Sequence, residues 1–225
     1  MRYTKYVFYD IECANCRNYT AKISSIGFVI TDANFNIIES KEIKINPEAP
    51  FYSYEKIDGK EVRQIYVPHN IDEYLSSPNY AGLYKNIKEL FTMENTLYIG
   101  FGNVSDAFYL YESNKRYNLI NFNYQFVDVK DMFQWRYDKK TTKPFRGLQG
   151  LAKFFGIQWN QTHNALDDSV MTFKVCKALM KKCRNIKLID VAKLSGALYV
   201  AKESKVFKDG LEVSKIIFPD MELPD

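Results

Sequence analysis

The 225-residue sequence has no apolar run near the roughly 20 residues that a bilayer-spanning helix needs, so we expect no transmembrane segment. Its first ten residues lack the apolar stretch and the small-residue cleavage site of a secretory signal peptide. Internal repeats and low-complexity segments are also missing. These absences exclude a membrane protein and a repeat architecture, and they make the cytoplasm the expected location.

Cysteine and histidine are scarce, with four and two residues respectively. Cys13 and Cys16 have the spacing of half a zinc knuckle, which leaves a zinc site open. Cys176 and Cys183 lie seven residues apart on one face of a predicted helix, a wider spacing than a structural zinc site normally uses. Disulfides are not expected in the cytoplasm, so the sequence favours four free thiols.

The overall composition is that of an ordinary globular domain that is mildly basic. Lys plus Arg is 31 and Asp plus Glu is 27, which gives a net charge of +4 and permits nucleic-acid binding without requiring it. Hydrophobic residues at 46% and charged residues at 26% exclude wholesale disorder. The 17 Tyr and 16 Phe are expected mostly in the core, with a few rings available to stack on bases.

The order of predicted elements indicates an α/β fold, a mixed sheet with helices packed on it. Three strands come first, followed by an irregular loop over 47–69, and helices then alternate with short strands. The predicted strands are 5–12, 22–31, 37–45, 96–101 and 126–129. The predicted helices are 71–91 with a break near Pro78, 105–117, 147–155 and 165–183. Residues 186–225 follow as an extension, with a small hairpin predicted around 206–213.

Acidic residues occur where predicted strands end and helices begin. Asp10 and Glu12 are two residues apart at the end of the first strand, so their side chains share one face. Two carboxylates there repel each other in a low dielectric unless a cation lies between them. Asp106 opens the helix after strand 96–101. It either caps that helix with Asn103 or belongs to a site at the end of the sheet.

The segment His163-Asn-Ala-Leu-Asp-Asp168 opens the last long helix. Asn164 suits the N-cap position, and Asp167 at the third helical position completes a capping pair with it. Asp168 lies one residue further round the helix, where it can face a site. His163 precedes the helix on a loop and can reach the same point, although a plain surface residue is the alternative.

In this order the three groups of residues resemble the DnaQ-like 3′–5′ exonucleases, the DEDDh branch of the DEDD superfamily. The resemblance extends over roughly residues 5–183, and it is specific as a combination although each motif alone is weak. The motifs are Tyr-Val-Phe-Tyr-Asp10-Ile-Glu12, Ile99-Gly-Phe-Gly-Asn103-Val-Ser-Asp106-Ala-Phe108 and His163-Asn-Ala165-Leu-Asp-Asp168, with the family's preceding helix at Gly147–Ile157.

The resemblance implies an RNase H-like mixed sheet, with three antiparallel strands followed by parallel strands, in an exonuclease domain of residues 1–185. It also implies a metal-dependent 3′–5′ exonuclease that releases nucleoside 5′-monophosphates. Carboxylate oxygens suit two Mg²⁺ or Mn²⁺ ions. The implied metal ligands are Asp10, Glu12, Asp106 and Asp168, and the implied general base is His163.

The implied substrate is the 3′ end of single-stranded DNA or RNA, with the terminal nucleotide beside Ile11, Cys13, Ala14 and Asn103. The chain departs from the family here. Cys13-Ala14-Asn15-Cys16 replaces a small polar stretch, and Ser105 replaces an aromatic residue. These changes affect the substrate pocket more than the metal ligands. They therefore leave the substrate preference open.

Other residues could also contact a strand, although surface charge and core packing explain them equally well. They are the basic residues Lys139, Lys140, Lys143, Arg146, Lys181, Lys182, Arg184 and Lys187, and the aromatic residues Phe51, Tyr52 and Tyr54. Three alternative functions stay open. One is a non-catalytic binding module on the same fold, and another is an RNase H-like endonuclease. The third is a proofreading subunit whose residues 186–225 dock a polymerase, another partner or a second copy.

Overall fold

A seven-stranded mixed sheet runs through the computed structural model, which describes residues 3–15, 22–57, 60–65, 70–137, 147–158, 164–183, 186–203 and 210–216. The strands are β1 (Lys5–Cys13), β2 (Ile23–Asp32), β3 (Ile37–Lys44), β4 (Tyr52–Ile57), β5 (Lys60–Ile65), β6 (Thr96–Gly100), β7 (Tyr124–Asp128), β8 (Leu198–Glu203) and β9 (Leu211–Lys215). The large sheet has the order β3-β2-β1-β6-β7-β8-β9, and β4 and β5 pair separately as an antiparallel hairpin.

The strand directions confirm the predicted fold class. β1 pairs antiparallel with β2, and β2 pairs antiparallel with β3, as expected for the first three strands. β6 then adds parallel to β1, and β7 adds parallel to β6. This arrangement brings the carboxyl ends of β1, β6 and β7 to the same edge of the sheet, where α/β proteins place their functional residues.

Helices flank the sheet. They are α1 (Ile71–Ser76), α2 (Tyr80–Phe91), α3 (Val104–Arg116), α4 (Val129–Arg136), α5 (Gly147–Phe154), α6 (Ala165–Lys182) and α7 (Leu188–Leu194). The longest helix, α6, packs across β1 and β2, and α4 and α5 pack against α6. α1 and α2 confirm the helical segment that the sequence predicted over 71–91 with a break near Pro78.

The first strand separates two core layers by simple alternation. Tyr6 and Phe8 belong to the layer under α6, where Phe8 meets the ring of Phe173 edge to face at 5.3 Å. Val7 and Tyr9 point to the opposite face and belong to the layer that contains residues of α2 and α3. Burial on both faces explains the dense run of apolar and aromatic residues in β1.

Three parts of the fold differ from the sequence prediction. The segment predicted as an irregular loop contains the β4–β5 hairpin. α4 follows β7 directly, with the side chain of Asp128 as its N-cap, and was not predicted. β9 pairs with β8, a strand that the sequence did not predict, and residues 206–209 of the hairpin predicted around 206–213 lie outside the described residues.

The extension that begins at residue 186 contributes α7, β8 and β9. β8 pairs antiparallel with β7, and β9 pairs antiparallel with β8, so both strands continue the large sheet. Lys215 on β9 also contacts Asp131 on α4 through an ion pair at 2.6 Å. The domain boundary after residue 185 stays a prediction, and the two segments share one sheet.

The three cysteines within the described ranges, Cys13, Cys176 and Cys183, are buried and are not joined in disulfides. Burial raises the pKa of Cys176 well above its usual value, which keeps this thiol protonated and unreactive. Cys16 lies outside the described residues. None of the helices in the described part of the chain is long and apolar enough to cross a membrane.

Candidate active site

Asp10 and Glu12 lie at the carboxyl end of β1, on the strand face that packs against α6. Tyr6 and Phe8 precede them on this face and are buried in the core. Because alternate residues of a strand point to the same side, this face of β1 is apolar at Tyr6 and Phe8 and acidic at Asp10 and Glu12. The sequence prediction that the two carboxylates share one face agrees with this register.

A β-bulge follows Glu12 and fixes the end of the strand. Glu12 pairs with Ser25 on β2, whereas Cys13 pairs with Ile23, so Ser24 is the extra residue. The hydroxyl of Ser24 donates to the backbone carbonyl oxygen of Glu12 at 3.2 Å. Bulges of this kind redirect side chains beside active sites, and this one ends regular pairing at the second carboxylate.

The amino end of α6 brings a third carboxylate to the same place. The Asn164 side chain accepts the backbone N–H of Asp167 at 2.7 Å, and its amide donates to the Asp167 carboxylate at 2.9 Å. The predicted capping pair is therefore confirmed. Asp168 is the next residue, and its carboxylate faces those of Asp10 and Glu12.

Gly27 allows α6 to approach the sheet this closely. A Cβ atom at position 27 would lie 2.1 Å from the carbonyl carbon and oxygen of Ala165 and 2.3 Å from the backbone nitrogen of Leu166. Gly27 also pairs with Asp10 in the β1–β2 ladder. The start of α6 therefore rests on the one position of β2 that has no side chain, directly beside Asp10.

Three carboxylates converge at this point. Asp10, Glu12 and Asp168 each offer an oxygen, and these three atoms lie within 4.8 Å of one another. Burial raises the pKa of Asp10 well above its usual value, and repulsion from Asp106, Glu12 and Asp168 raises this pKa further. Within the described ranges, no other group of acidic, histidine or cysteine side chains could hold a metal ion. A divalent cation would neutralise this concentrated negative charge.

Asp106 reaches the same region from the first turn of α3. It is buried, and the side-chain amide of Asn103 donates to its carboxylate at 2.8 Å. The same amide lies 3.4 Å from the backbone oxygen of Tyr9, next to Asp10. A Cβ atom on Gly100 would lie 1.8 Å from the Asn103 side chain. Asn103 therefore links Asp106 to the end of β1, and Gly100 leaves the space for it.

Asp128 is a buried carboxylate that the sequence analysis did not single out. It caps α4 by accepting the backbone N–H of Lys130 at 2.9 Å, and it accepts the N–H of Gly102 at 3.1 Å. Asp128 thus ties the loop between β6 and α3, which carries Asn103, to the start of α4. Burial raises the pKa of Asp128 to about 6, although these two hydrogen bonds oppose the shift.

Asp128→Asn is expected to remove part of the pH dependence of stability. The folded pKa of about 6 exceeds the usual value of 3.8, so this carboxylate destabilises the fold increasingly as the pH rises from about 4 to about 6. This difference between the two pKa values corresponds to a loss of about 3 kcal/mol in the free energy of unfolding. Asparagine can still accept both N–H groups. Urea unfolding in EDTA should therefore find the variant more stable than the wild type at pH 7 and equally stable at pH 4. If the free energies of unfolding of the two proteins changed with pH in parallel, the raised pKa of Asp128 would be contradicted.

The residues expected to bind the terminal nucleotide are all buried. They are Ile11, Cys13, Ala14 and Asn103. Ala14 already uses both backbone groups, since its N–H donates to Lys22 at 2.9 Å and its carbonyl accepts from Tyr52 at 2.8 Å. Asn103 holds Asp106, which favours a positioning role for its side chain. A direct nucleotide contact by these residues stays a prediction.

Several other candidate residues lie outside the described part of the chain. They are His163, Lys139, Lys140, Lys143, Arg146 and Arg184, and the side chain of Tyr54 is not described either. Lys181 and Lys182 lie at the far end of α6, about 20 Å along the helix from Asp168. Phe51 is buried, and Tyr52 begins β4. Lys181 and Lys182 are therefore remote from the carboxylates.

Sequence reasoning missed Gly27, Asp128 and the β4–β5 hairpin. The hairpin had a readable signal, because the dipeptide sequence Asp-Gly at 58–59 is one that two-residue hairpin turns favour. Asp128 also had one, as an N-cap residue directly before an apolar helical pattern. Gly27 had no local signal, since its role depends on a contact with residue 165.

Solved structures that share this fold are 3′-exonucleases. One shows 3′-end specific recognition of a histone mRNA stem-loop by a 3′-exonuclease; the match has a TM-score of 0.66 and 12% identity and covers 100% of this chain and 96% of that chain. Exonuclease I from E. coli in complex with a dA16 oligonucleotide matches with a TM-score of 0.58 and 17% identity, over 85% of this chain. A further exonuclease I structure gives a TM-score of 0.59 at 17% identity.

The similarity confirms the predicted RNase H-like fold. This chain spans less than half of the exonuclease I chains, with 42% and 43% covered, but nearly all of the histone mRNA exonuclease chain. No family model matches the sequence, and no curated protein matches it either. At these identities the likeness establishes the fold, and the chemistry has to be argued from the site.

Proposed function

We propose that this protein is a metal-dependent 3′–5′ exonuclease of the DEDDh type that shortens single-stranded DNA or RNA from the 3′ end. The observation that carries the proposal is the convergence of Asp10, Glu12 and Asp168 within 4.8 Å at the carboxyl end of β1. Asp106 adds its charge to the same point. The fold around this cluster is one that solved 3′-exonucleases share.

The donor set fits hard divalent cations. Its ligands are carboxylate oxygens alone, the set that Mg²⁺ and Mn²⁺ prefer. Burial raises the pKa of Asp10, and repulsion from the surrounding carboxylates raises it further, so a bound cation would favour the ionised form. Asp10, Glu12, Asp106 and Asp168 would hold two ions. Bound there, the ions would supply charge neutralisation at the reacting phosphate and lower the pKa of a water molecule.

The chain's own groups then have separate tasks. Asn103 and the capping pair Asn164–Asp167 hold Asp106 and Asp168 in place. His163 accepts the proton of the attacking water, since an imidazole pKa near 6.5 suits a general base at neutral pH. Attack on the terminal phosphodiester breaks the bond to the 3′ oxygen of the preceding nucleotide. The product is a nucleoside 5′-monophosphate, and the shortened strand keeps a 3′ hydroxyl.

The direct test uses 5′-labelled single-stranded DNA and RNA of matched sequence, incubated with Mg²⁺ or Mn²⁺. We expect a ladder that shortens from the 3′ end and disappears in EDTA, and the faster substrate identifies the nucleic-acid class. If neither strand shortens although Mn²⁺ binds, a specialised substrate is required. If neither strand shortens and no metal binds, the protein is a non-catalytic binding module.

His163→Ala is expected to lower kcat by roughly 10²- to 10⁴-fold, the usual contribution of a general base. Metal binding should be unchanged, because the histidine is not among the proposed ligands. His69→Ala, which removes the only other histidine of the chain, is the matched control and should keep full activity. Steady-state kinetics on a labelled oligonucleotide gives the comparison. Unchanged turnover in His163→Ala would remove this residue as the base.

A further inference from the structure

The β4–β5 hairpin is attached to the chain just beyond the carboxylates. The backbone N–H of Tyr52 donates to the carbonyl oxygen of Ala14 at 2.8 Å, and Asn15 forms an isolated parallel bridge with Tyr52. Ala14 is only two residues after Glu12, which is roughly 7 Å of extended backbone. The base of the hairpin therefore has a fixed position a short distance from the cluster.

Packing on α1 holds the same end of the hairpin. Phe51, which precedes β4, is buried and meets the ring of Tyr74 edge to face at 5.5 Å. Tyr74 is in turn covered by the ammonium group of Lys44, 5.5 Å from its ring centroid. Lys44 also forms an ion pair with Glu73. The hairpin thus starts from a packed anchor, and the lysine beside it already has a carboxylate partner.

Arg63 is a cation on β5 that this hairpin exposes to solvent. Its guanidinium lies over the ring of Tyr52, 5.4 Å from the centroid, in a cross-strand cation–π contact. The register pairs Arg63 with Tyr54 and Tyr52 with Ile65, so Arg63 and Tyr52 are diagonal neighbours. Arg63 is exposed, and the described residues give it no ion-pair partner. Stacking on a fixed ring restricts the side chain while its N–H donors stay available.

We infer that Arg63, held by Tyr52, binds a phosphate of the substrate strand upstream of the 3′-terminal nucleotide. This inference rests on the proposed exonuclease function and assigns a contact on the side of the site that lies beyond Ala14. A planar guanidinium binds phosphate oxygens through two parallel hydrogen bonds. The carboxylate cluster itself repels a polyanion, so a restrained cation on the hairpin beyond Ala14 would favour one path for the strand.

The test compares two substrates for each protein. One is a single-stranded oligonucleotide, and the other is the p-nitrophenyl ester of thymidine 5′-monophosphate, which has no upstream phosphate. Arg63→Ala should raise KM for the oligonucleotide about 10-fold with little change in kcat, and should leave hydrolysis of the ester unchanged. Because one phosphate contact is lost, the slope of log KM against log salt should fall by about 0.7.

Two further variants make the result specific. Lys60→Ala removes a charge from another exposed residue of the same hairpin strand and should leave KM unchanged. Arg63→Lys keeps the charge without the planar fork and should recover only part of the affinity. If Arg63→Ala matches the wild type on both substrates, or slows both equally, this inference is wrong. If the wild type hydrolyses neither substrate, the proposed function fails instead.

Discussion

Asp10→Asn is expected to abolish hydrolysis, with a loss of roughly 10³-fold or more, and at the same time to stabilise the metal-free protein. The first effect follows because Asp10 belongs to the carboxylate cluster and is a proposed metal ligand. The second follows because its pKa is raised by burial and by three neighbouring carboxylates. Asparagine has nearly the same shape and removes that repulsion.

Thermal unfolding with and without Mn²⁺ checks both effects in one experiment. The wild type should gain Tm when Mn²⁺ is added, because the cation binds the folded state alone. The variant should start from a higher Tm in EDTA and gain little. Asp190→Asn is the matched control, since residue 190 lies in the first turn of α7 and is not part of the cluster. A fully active Asp10→Asn protein would refute the metal site.

Gly27→Ala is expected to reduce activity by about 10²-fold or more although residue 27 has no chemical group to contribute. Its Cβ would lie 2.1 Å from the Ala165 backbone, so the start of α6 must move away from β2. Asp168 lies in the first turn of that helix and would move with it. Displacements near 1 Å are enough to cost about 10²-fold in a preorganised site.

The stability loss from overpacking at residue 27 should be about 1–3 kcal/mol. A lower stability alone could reduce activity, so Val191→Ala on α7 is a suitable comparison. Val191 is fully buried, and its truncation should lower stability without touching the carboxylates. Calorimetric Mn²⁺ titration separates the two variants, since only Gly27→Ala should bind the metal more weakly. Normal metal affinity and turnover in Gly27→Ala would show that α6 need not approach the sheet so closely.

The parts of this site that could be predicted from the sequence are those fixed by local geometry. The spacing of Asp10 and Glu12 gives a shared strand face, and Asn164 with Asp167 gives a helix start that leaves Asp168 beyond the cap. Asp106 was predicted with two roles open, and in the structure it lies both in the first turn of α3 and close enough to Asp10 to raise its pKa.

The parts that could not be predicted depend on contacts between distant residues. The approach of β2 to α6 at Gly27 joins residues 27 and 165, and no local pattern reports it. The attachment of Tyr52 to Ala14, which places the hairpin beside the cluster, is equally non-local. The position of β8 and β9 in the large sheet follows from pairing with β7 rather than from any feature of residues 186–225 themselves.

The measurement that tests the central claim most directly compares a linear single-stranded DNA with a covalently closed circle of the same sequence, both incubated with Mn²⁺. An exonuclease requires a 3′ end, so we predict that the linear strand yields nucleoside 5′-monophosphates by mass spectrometry and that the circle stays intact. Linear strands made by opening the same circle at different positions should all be degraded equally. Cleavage of the circle would instead identify an RNase H-like endonuclease, and degradation that persists in Asp10→Asn would contradict the account altogether.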